Sequence, residues 1–405
     1  MTLIEFYDCV SVENVAGFLK CRPERIVFLG DESKMEERVD IYEQIAQSHN
    51  MVIDFVCKEI DRNNLSSIVD TLTHVVEGIF RENRYEKIFF DLSGGDDLAL
   101  VAAGIVYERY AGKIKILRFN INDVSGMRLT VDEYIRIYGG KIQFSGVGGM
   151  GTYIWDFNED FVSDIGKMWS ICKNDPAAWN SAMNIMGRIV NNTGGKSSLK
   201  AFIKLNYNKK NYKGDMQKFN QMKEFMRNLL REGLIRNLKI SDTGQILFTF
   251  KNHQVKKCLT KAGEVLEVYV TLIAKELTKP NSNKPLFDDI LTGVNIDWDG
   301  KPAPKGGANV DNEVDVVLIK DFVPVFISCK NGIFDSDELY KLSTVAAKFG
   351  GPYVKKILVT TGLSRMNWGK QKQLKARARE MDIVIIDDFH ISDAQAKRSL
   401  FNAIK

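Results

Sequence analysis

Residues 311–332 read DNEVDVVLIKDFVPVFISCKNG. Two apolar, β-branched runs, Val314 to Ile319 and Val323 to Cys329, flank Lys320-Asp321, a pattern that predicts a hairpin inside a sheet. A plain core hairpin does not explain its polar residues. Glu313 and Asp315 enter the first strand, and Ser328 and Lys330 leave the second. Alternation puts Ser328 and Lys330 on one face, and a two-residue turn is expected to set Asp315 opposite Phe326 on that face. A carboxylate and an ammonium then meet at the edge of an apolar sheet, where charge is costly unless it is paired or binds an ion. Two readings fit. One is a simple Asp315 to Lys330 ion pair; the other is a phosphodiesterase site, where a carboxylate and a backbone carbonyl hold a divalent cation and a lysine positions the nucleophile or neutralises charge.

Upstream, Lys261 to Tyr269 opens a predicted helix, with Leu266, Val270, Ile273 and Leu277 on its apolar stripe and Glu267 beside it. A helix carboxylate, an aspartate on a strand and a strand ending in x-x-Lys follow the order of the restriction-endonuclease-like PD-(D/E)xK nucleases, which residues 251–405 resemble. The resemblance implies an α/β nuclease domain with Glu267, Asp315, Lys330 and Ser328 as catalytic positions. It also implies that Glu267, Asp315 and the Cys329 backbone carbonyl are ligands of Mn²⁺ or Mg²⁺. The family pattern has Asp or Glu where this chain has Ser328, so the ligand set carries one charge less. Either Glu313 or Glu267 compensates, or the metal binds weakly, or the site is degenerate. The string NEVDVV…FISCKNG…ELYKL…FGG is similar to the CRISPR-associated ancillary nucleases, a branch with a nucleotide sensor at the N-terminus.

Composition bounds the alternatives. A chain of 405 residues, 44% hydrophobic and 27% charged, has room for two or three domains. No apolar run approaches the roughly eighteen residues of a membrane span, and the first residues lack the pattern of a signal peptide; a cytoplasmic protein without membrane contact is expected. Six cysteines form no CxxC pair and read as reduced packing residues, and the four histidines have no partner at metal-ligand spacing, which argues against zinc.

Strand-like runs at Leu3 to Tyr7, Arg25 to Leu29, Met51 to Val56, Ile88 to Asp91 and Ile114 to Phe119 alternate with helical patterns. That predicts a doubly wound α/β domain, residues 1–138, whose ligands bind beyond the carboxyl ends of the strands. One loop there is Asp91-Leu92-Ser93-Gly94-Gly95-Asp96-Asp97. Its glycines and the following helix N-terminus suit a phosphate or another acceptor, whereas Asp96 and Asp97 suit a plain acidic cap. Another loop, Asp8 to Asn14, supplies Ser11 and Asn14. Together the loops resemble the CARF domain, the Rossmann-like sensor of cyclic oligoadenylates in type III CRISPR defence. By that resemblance Ser11, Asn14, Ser93, Gly94, Gly95 and Asp96 contact the activator, taken as cyclic tetra-adenylate at the axis of a homodimer. No GxGxxG follows the first strand, so a nicotinamide dinucleotide is disfavoured.

Residues 139–250 read as a glycine-rich hinge followed by a basic, helical, winged-helix-like region. Between 196 and 239, twelve Lys or Arg face three acids, with Phe202, Tyr207, Tyr212, Phe219 and Phe225 interleaved. A solvated basic face accounts for this, as does a nucleic-acid surface including Lys209, Lys210 and Lys213. Residues 281–310, rich in Pro, Gly and Asn, read as a mobile loop over the hairpin. A basic helix over Met366 to Glu380 also fits either a solvated face or a substrate groove. Three functions remain: an oligoadenylate-activated, metal-dependent nuclease cutting DNA, RNA or both; a nucleotide-responsive DNA-binding regulator with a degenerate nuclease domain; and a nuclease that needs no nucleotide.

Overall fold

The computed structural model describes residues 1–7, 12–119, 127–145, 151–192, 198–204, 212–241, 244–300 and 311–405. Strands β1 (Thr2–Phe6), β2 (Arg25–Gly30), β3 (Asp54–Glu59), β4 (Ile88–Asp91) and β5 (Ile114–Leu117) alternate with α1 (Val12–Cys21), α2 (Glu32–Ser48), α3 (Leu65–Glu82) and α4 (Asp97–Arg109). The strands pair in parallel in the order β3-β2-β1-β4-β5, which is the expected doubly wound sheet. Successive residues serve opposite faces: Leu3 and Phe28 enter one core, Ile4 and Val27 the other. A parallel sheet needs both faces covered, and its central strands β1, β2 and β4 are accordingly mostly apolar and buried. The third strand begins at Asp54, three residues after the expected start, because buried Met51 and Ile53 pack under the sheet without pairing. β3 is an edge strand, and its exposed Asp54, Lys58 and Glu59 deter further pairing.

The chain then forms α5 (Val131–Ile137) and β6 (Lys141–Ile142). Gly140 sits where a Cβ would lie 2.6 Å from the Phe349 ring and 3.0 Å from Ile296, so the start of the glycine-rich stretch is wedged against the C-terminal half. Helices α6 (Glu159–Asn174) and α7 (Pro176–Asn192) break at Asp175-Pro176 as the sequence predicts. The winged-helix-like region comprises β7 (Lys200–Lys204), α8 (Tyr212–Arg231), β8 (Ile235–Ile240) and β9 (Gln245–Phe250), and β7 adds an unexpected third strand in the order β7-β9-β8.

The remainder contains α9 (His253–Cys258), α10 (Glu264–Lys275), β10 (Asp289–Asp297), β11 (Asp311–Lys320), β12 (Val323–Lys330), α11 (Ser336–Phe349), β13 (Lys355–Thr360), α12 (Trp368–Glu380), β14 (Ile383–Ile386) and α13 (Asp393–Ala403). The sheet order is β14-β13-β12-β11-β10-β6. Here one expectation is corrected: β10 occupies the centre of the supposed mobile loop, paired with β11 from Asp289–Ile319 to Asp297–Asp311. Its Thr292, Val294 and Ile296 alternate inward, a period-two signal diluted by Gly293 and Asn295. One face of the sheet, with Val316, Leu318, Val325 and Ile327, shares a core with α10 and the middle helices; Trp169 stacks on Tyr269 at 4.5 Å. The other, with Val317, Ile319 and Phe326, shares a core with α11 and the N-terminal domain. Among the described residues no helix is long and apolar enough to cross a membrane.

Candidate active site

β11 and β12 turn at Asp321-Phe322, both with positive φ of 48° and 68°, the backbone of a type I′ hairpin. The turn therefore centres one residue beyond Lys320-Asp321, and the register moves by two. Phe326 lies opposite Val317, not Asp315 as expected. Pairing between the strands ends at Val316–Ile327, while β11 runs on beside β10 and β12 beside β13. The hairpin opens there into a fork holding Asp315, Ser328, Cys329 and Lys330.

Inside the fork a side chain takes over the role of the ladder. Asp315 Oδ2 accepts the Cys329 amide at 2.6 Å and the Ser328 hydroxyl at 3.2 Å. Lys330 Nζ lies 3.8 Å from the same oxygen and 2.8 Å from Glu338 Oε2 in the first turn of α11. Burial disfavours the charge on Lys330, but Asp315 and Glu338 outweigh it and its pKa is raised. A fixed ammonium results.

Glu267 reaches the same cleft from the first turn of α10 and is 3% exposed. Its Oε2 is buried without a hydrogen-bond partner among the described residues. Burial first, then the charge of Asp315, push its carboxyl well above the usual range; burial also raises Asp315, with Lys330 pulling it back. A buried and a partly buried carboxyl, the first with a bare oxygen, suit a divalent cation, which would favour their ionised forms. Burial pushes the Cys329 thiol up, so the donor that residue offers is its carbonyl. Among the described residues no group of three His, Cys, Asp or Glu is arranged to hold a metal, so the fit is to two carboxylates and a carbonyl, completed by water.

Three neighbours escaped the sequence reading. Lys261 Nζ lies 2.7 Å from Glu313, 3.3 Å from Glu264 and 3.8 Å from Glu267; these carboxylates overcome burial and raise its pKa. Glu338 steadies Lys330, and Asn180 of α7 exchanges hydrogen bonds with Asn331, tying the middle region to the residue after Lys330. The i,i+3 spacing of Lys261 and Glu264 was a legible signal, whereas Glu338 and Asn180 are distant in sequence. The cleft, about 320 Å³, is lined by Asn180, Lys261, Glu267, Glu313, Asp315 and Lys330 among others.

At the N-terminal sheet, Ser93 donates its amide to Asp91 Oδ1 at 2.8 Å and accepts the Phe119 amide on its hydroxyl at 2.6 Å, tying the loop after β4 to the end of β5. Asp96 caps α4 by accepting the Ala99 amide. Gly94 is buried, and Gly95 has a φ of 99° that favours glycine, with a Cβ there crowding Phe6 at 3.1 Å. Asn14 is buried in the first turn of α1. Ser11, Lys209 and Lys210 lie outside the described residues, as does the side chain of Lys213.

Residues 255–399 match the family model of the Card1-like endonuclease domain. No curated protein matches the sequence. Among the solved structures that match are two that cover this chain from end to end. VC1899 from Vibrio cholerae is 18% identical, with a TM-score of 0.70 over 100% of this chain and 98% of that one. Can2 from Sulfobacillus thermosulfidooxidans, solved in complex with cyclic tetra-adenylate, is 16% identical, with a TM-score of 0.62 over 100% of this chain and 99% of that one. Residues 255–399 are thus similar to the Card1-like endonuclease domain, and the chain as a whole shares the fold of VC1899 and Can2.

Proposed function

We propose that the chain is a cyclic-oligoadenylate-activated nuclease of type III CRISPR defence, acting as a homodimer and dependent on Mg²⁺ or Mn²⁺ to cut DNA, RNA or both. The observation that carries this reading is the fork, which gathers Glu267, Asp315 and Lys330 in one cleft of a Card1-like endonuclease domain. Glu267, Asp315 and the Cys329 carbonyl would hold the cation, which supplies Lewis acidity toward the phosphate and neutralises charge. The Cys329 amide and the Ser328 hydroxyl orient the Asp315 carboxylate. Lys330, braced by Glu338, presents a fixed ammonium to a phosphate oxygen or to the attacking water.

For the activator, support comes from the whole-chain fold shared with Can2, a protein solved with cyclic tetra-adenylate. A two-fold dimer would offer two copies of Ser11, Asn14 and the Ser93 to Asp96 turn to a ligand of repeating chemistry. Continuity of the N-terminal core with one face of the six-stranded sheet, through Tyr134, Ile135, Phe326 and Phe349, supplies a physical link between sensor and fork. One observation favours a second reading, a nucleotide-responsive DNA-binding regulator: Ser328 stands where an acidic ligand belongs. Cleavage of labelled DNA and RNA, with and without Mn²⁺ and with cyclic tetra-adenylate or cyclic hexa-adenylate, separates the two. The nuclease cuts only with metal and activator together; a regulator binds DNA in response to the nucleotide and cuts nothing.

A further inference from the structure

Away from the fork, a cleft of about 870 Å³ lies where β12, β13 and β14 begin. Lys320, Lys355, Lys356, Lys375, Arg379 and Lys405 line it, with Asp382 as the acid in the wall. Lys320 is 3.5 Å from Asp321. Among the described residues, Lys355, Lys356, Lys375 and Arg379 have no carboxylate at ion-pair distance. A second cleft of about 330 Å³ lies along α12 and shares Lys375 and Arg379 with the first, adding Lys372 and Trp368. Trp368 is 74% exposed, with the Lys372 ammonium 5.2 Å from its ring.

Topology sets the direction. β12 and β13 run in parallel from the large cleft, at Val323 and Lys355, toward the fork, at Lys330 and its partner Thr360. α12 then returns the chain from the fork end to the start of β14. Its thirteen residues span about 20 Å. Trp368 therefore stands at the end nearer the fork, and Lys372, Lys375 and Arg379, on one helical face, lead back to the large cleft.

We propose that this stripe is a track for the phosphodiester chain of a nucleic acid, unpaired where it crosses Trp368. Converging ammonium groups repel one another unless a polyanion neutralises them. An exposed indole beside a cation is the platform on which a base stacks. The track rests on the nuclease reading, whose substrate it would hold well beyond the reacting phosphate.

The test is fluorescence anisotropy with the full chain, a labelled single-stranded oligonucleotide and a chelator, titrated with salt. Lys375→Gln with Arg379→Gln lowers the slope of log affinity against log salt by about 1.4, at roughly 0.7 per lost phosphate contact on a single strand. Lys370→Gln, on the same helix but outside both clefts, leaves the slope unchanged. Trp368→Ala weakens single-strand affinity about five-fold or more and leaves affinity for a fully paired duplex unchanged. An unchanged slope in the double variant, or an equal loss per charge in Lys370→Gln, overturns the track. So does a change in oligomeric state without a change in slope, which makes the face an interface between copies. If the wild type binds with the expected slope but never cuts with metal and activator, the track stands and the nuclease reading falls.

Discussion

The amide of Cys329 donates to Oδ2 of Asp315 at 2.6 Å, just where β11 and β12 cease to pair. The carboxylate thus holds the fork open and in register while serving as a candidate ligand. Asp315→Asn keeps an acceptor for that amide and removes a carboxyl whose ionisation burial disfavours. Asp315→Ala strands the amide, at a cost of about 1–3 kcal/mol. Urea denaturation should show the asparagine variant more stable than the alanine variant by at least ~1 kcal/mol. Equal stabilities would mean that the hydrogen bond does no structural work.

Ser328 donates to Asp315 and adds no charge. Ser328→Glu places a third carboxylate beside Glu267 and Asp315, so calorimetry with Mn²⁺ should register tighter binding, about ten-fold if the charge reaches the cation. Unchanged or weaker binding would remove this position from the metal's surroundings.

Asp91, fully buried at the end of β4, pairs in register with Glu5 of β1, and burial pushes its carboxyl up from 3.8 to about 6, against the hydrogen bonds from Ser93. A folded-state pKa above the unfolded one means that the native chain holds the proton longer. Stability is then full below the ordinary carboxylate range and falls as pH rises through about 6. The loss is on the order of 2–3 kcal/mol. Asp91→Asn should flatten that part of the pH profile in denaturant melts at pH 4 to 7; an unaltered slope assigns the pH dependence to other groups.

Ser93 fastens the loop after β4 to the segment that follows β5 by accepting the Phe119 amide. Ser93→Ala should cost about 1 kcal/mol in stability. It should also raise the concentration of cyclic tetra-adenylate needed for half-maximal cleavage, without lowering the rate at saturation. A reduced saturating rate would place Ser93 in the coupling step instead of in binding.

Much of this was legible in sequence because the signals were local. The apolar runs of β1, β2 and β4 and the Asp175-Pro176 break carry their own punctuation, and the EVDVV stretch at 313–317 marked the hairpin. Asp315 and Lys330 could be paired from alternation alone. What failed depended on partners. The register slipped by two because Phe322, which lacks the usual glycine or asparagine signature, adopts positive φ in the turn. β10 was lost because a glycine and polar residues interrupt its alternation, although its neighbour β11 completes its pairing. Glu338 and Asn180 join the fork only through α11 and α7, far away in the chain, and no local pattern announces them.

The most direct measurement compares wild type and Asp315→Asn in one pair of experiments: calorimetric binding of cyclic tetra-adenylate, and cleavage of labelled nucleic acid with Mn²⁺ as that nucleotide is titrated. Both proteins should bind one nucleotide per dimer with equal affinity, and only the wild type should cut, its rate rising with occupancy. Cleavage by the variant at the wild-type rate, or a wild type that binds the nucleotide and never cuts, would contradict the fork as the catalytic centre of an activated nuclease.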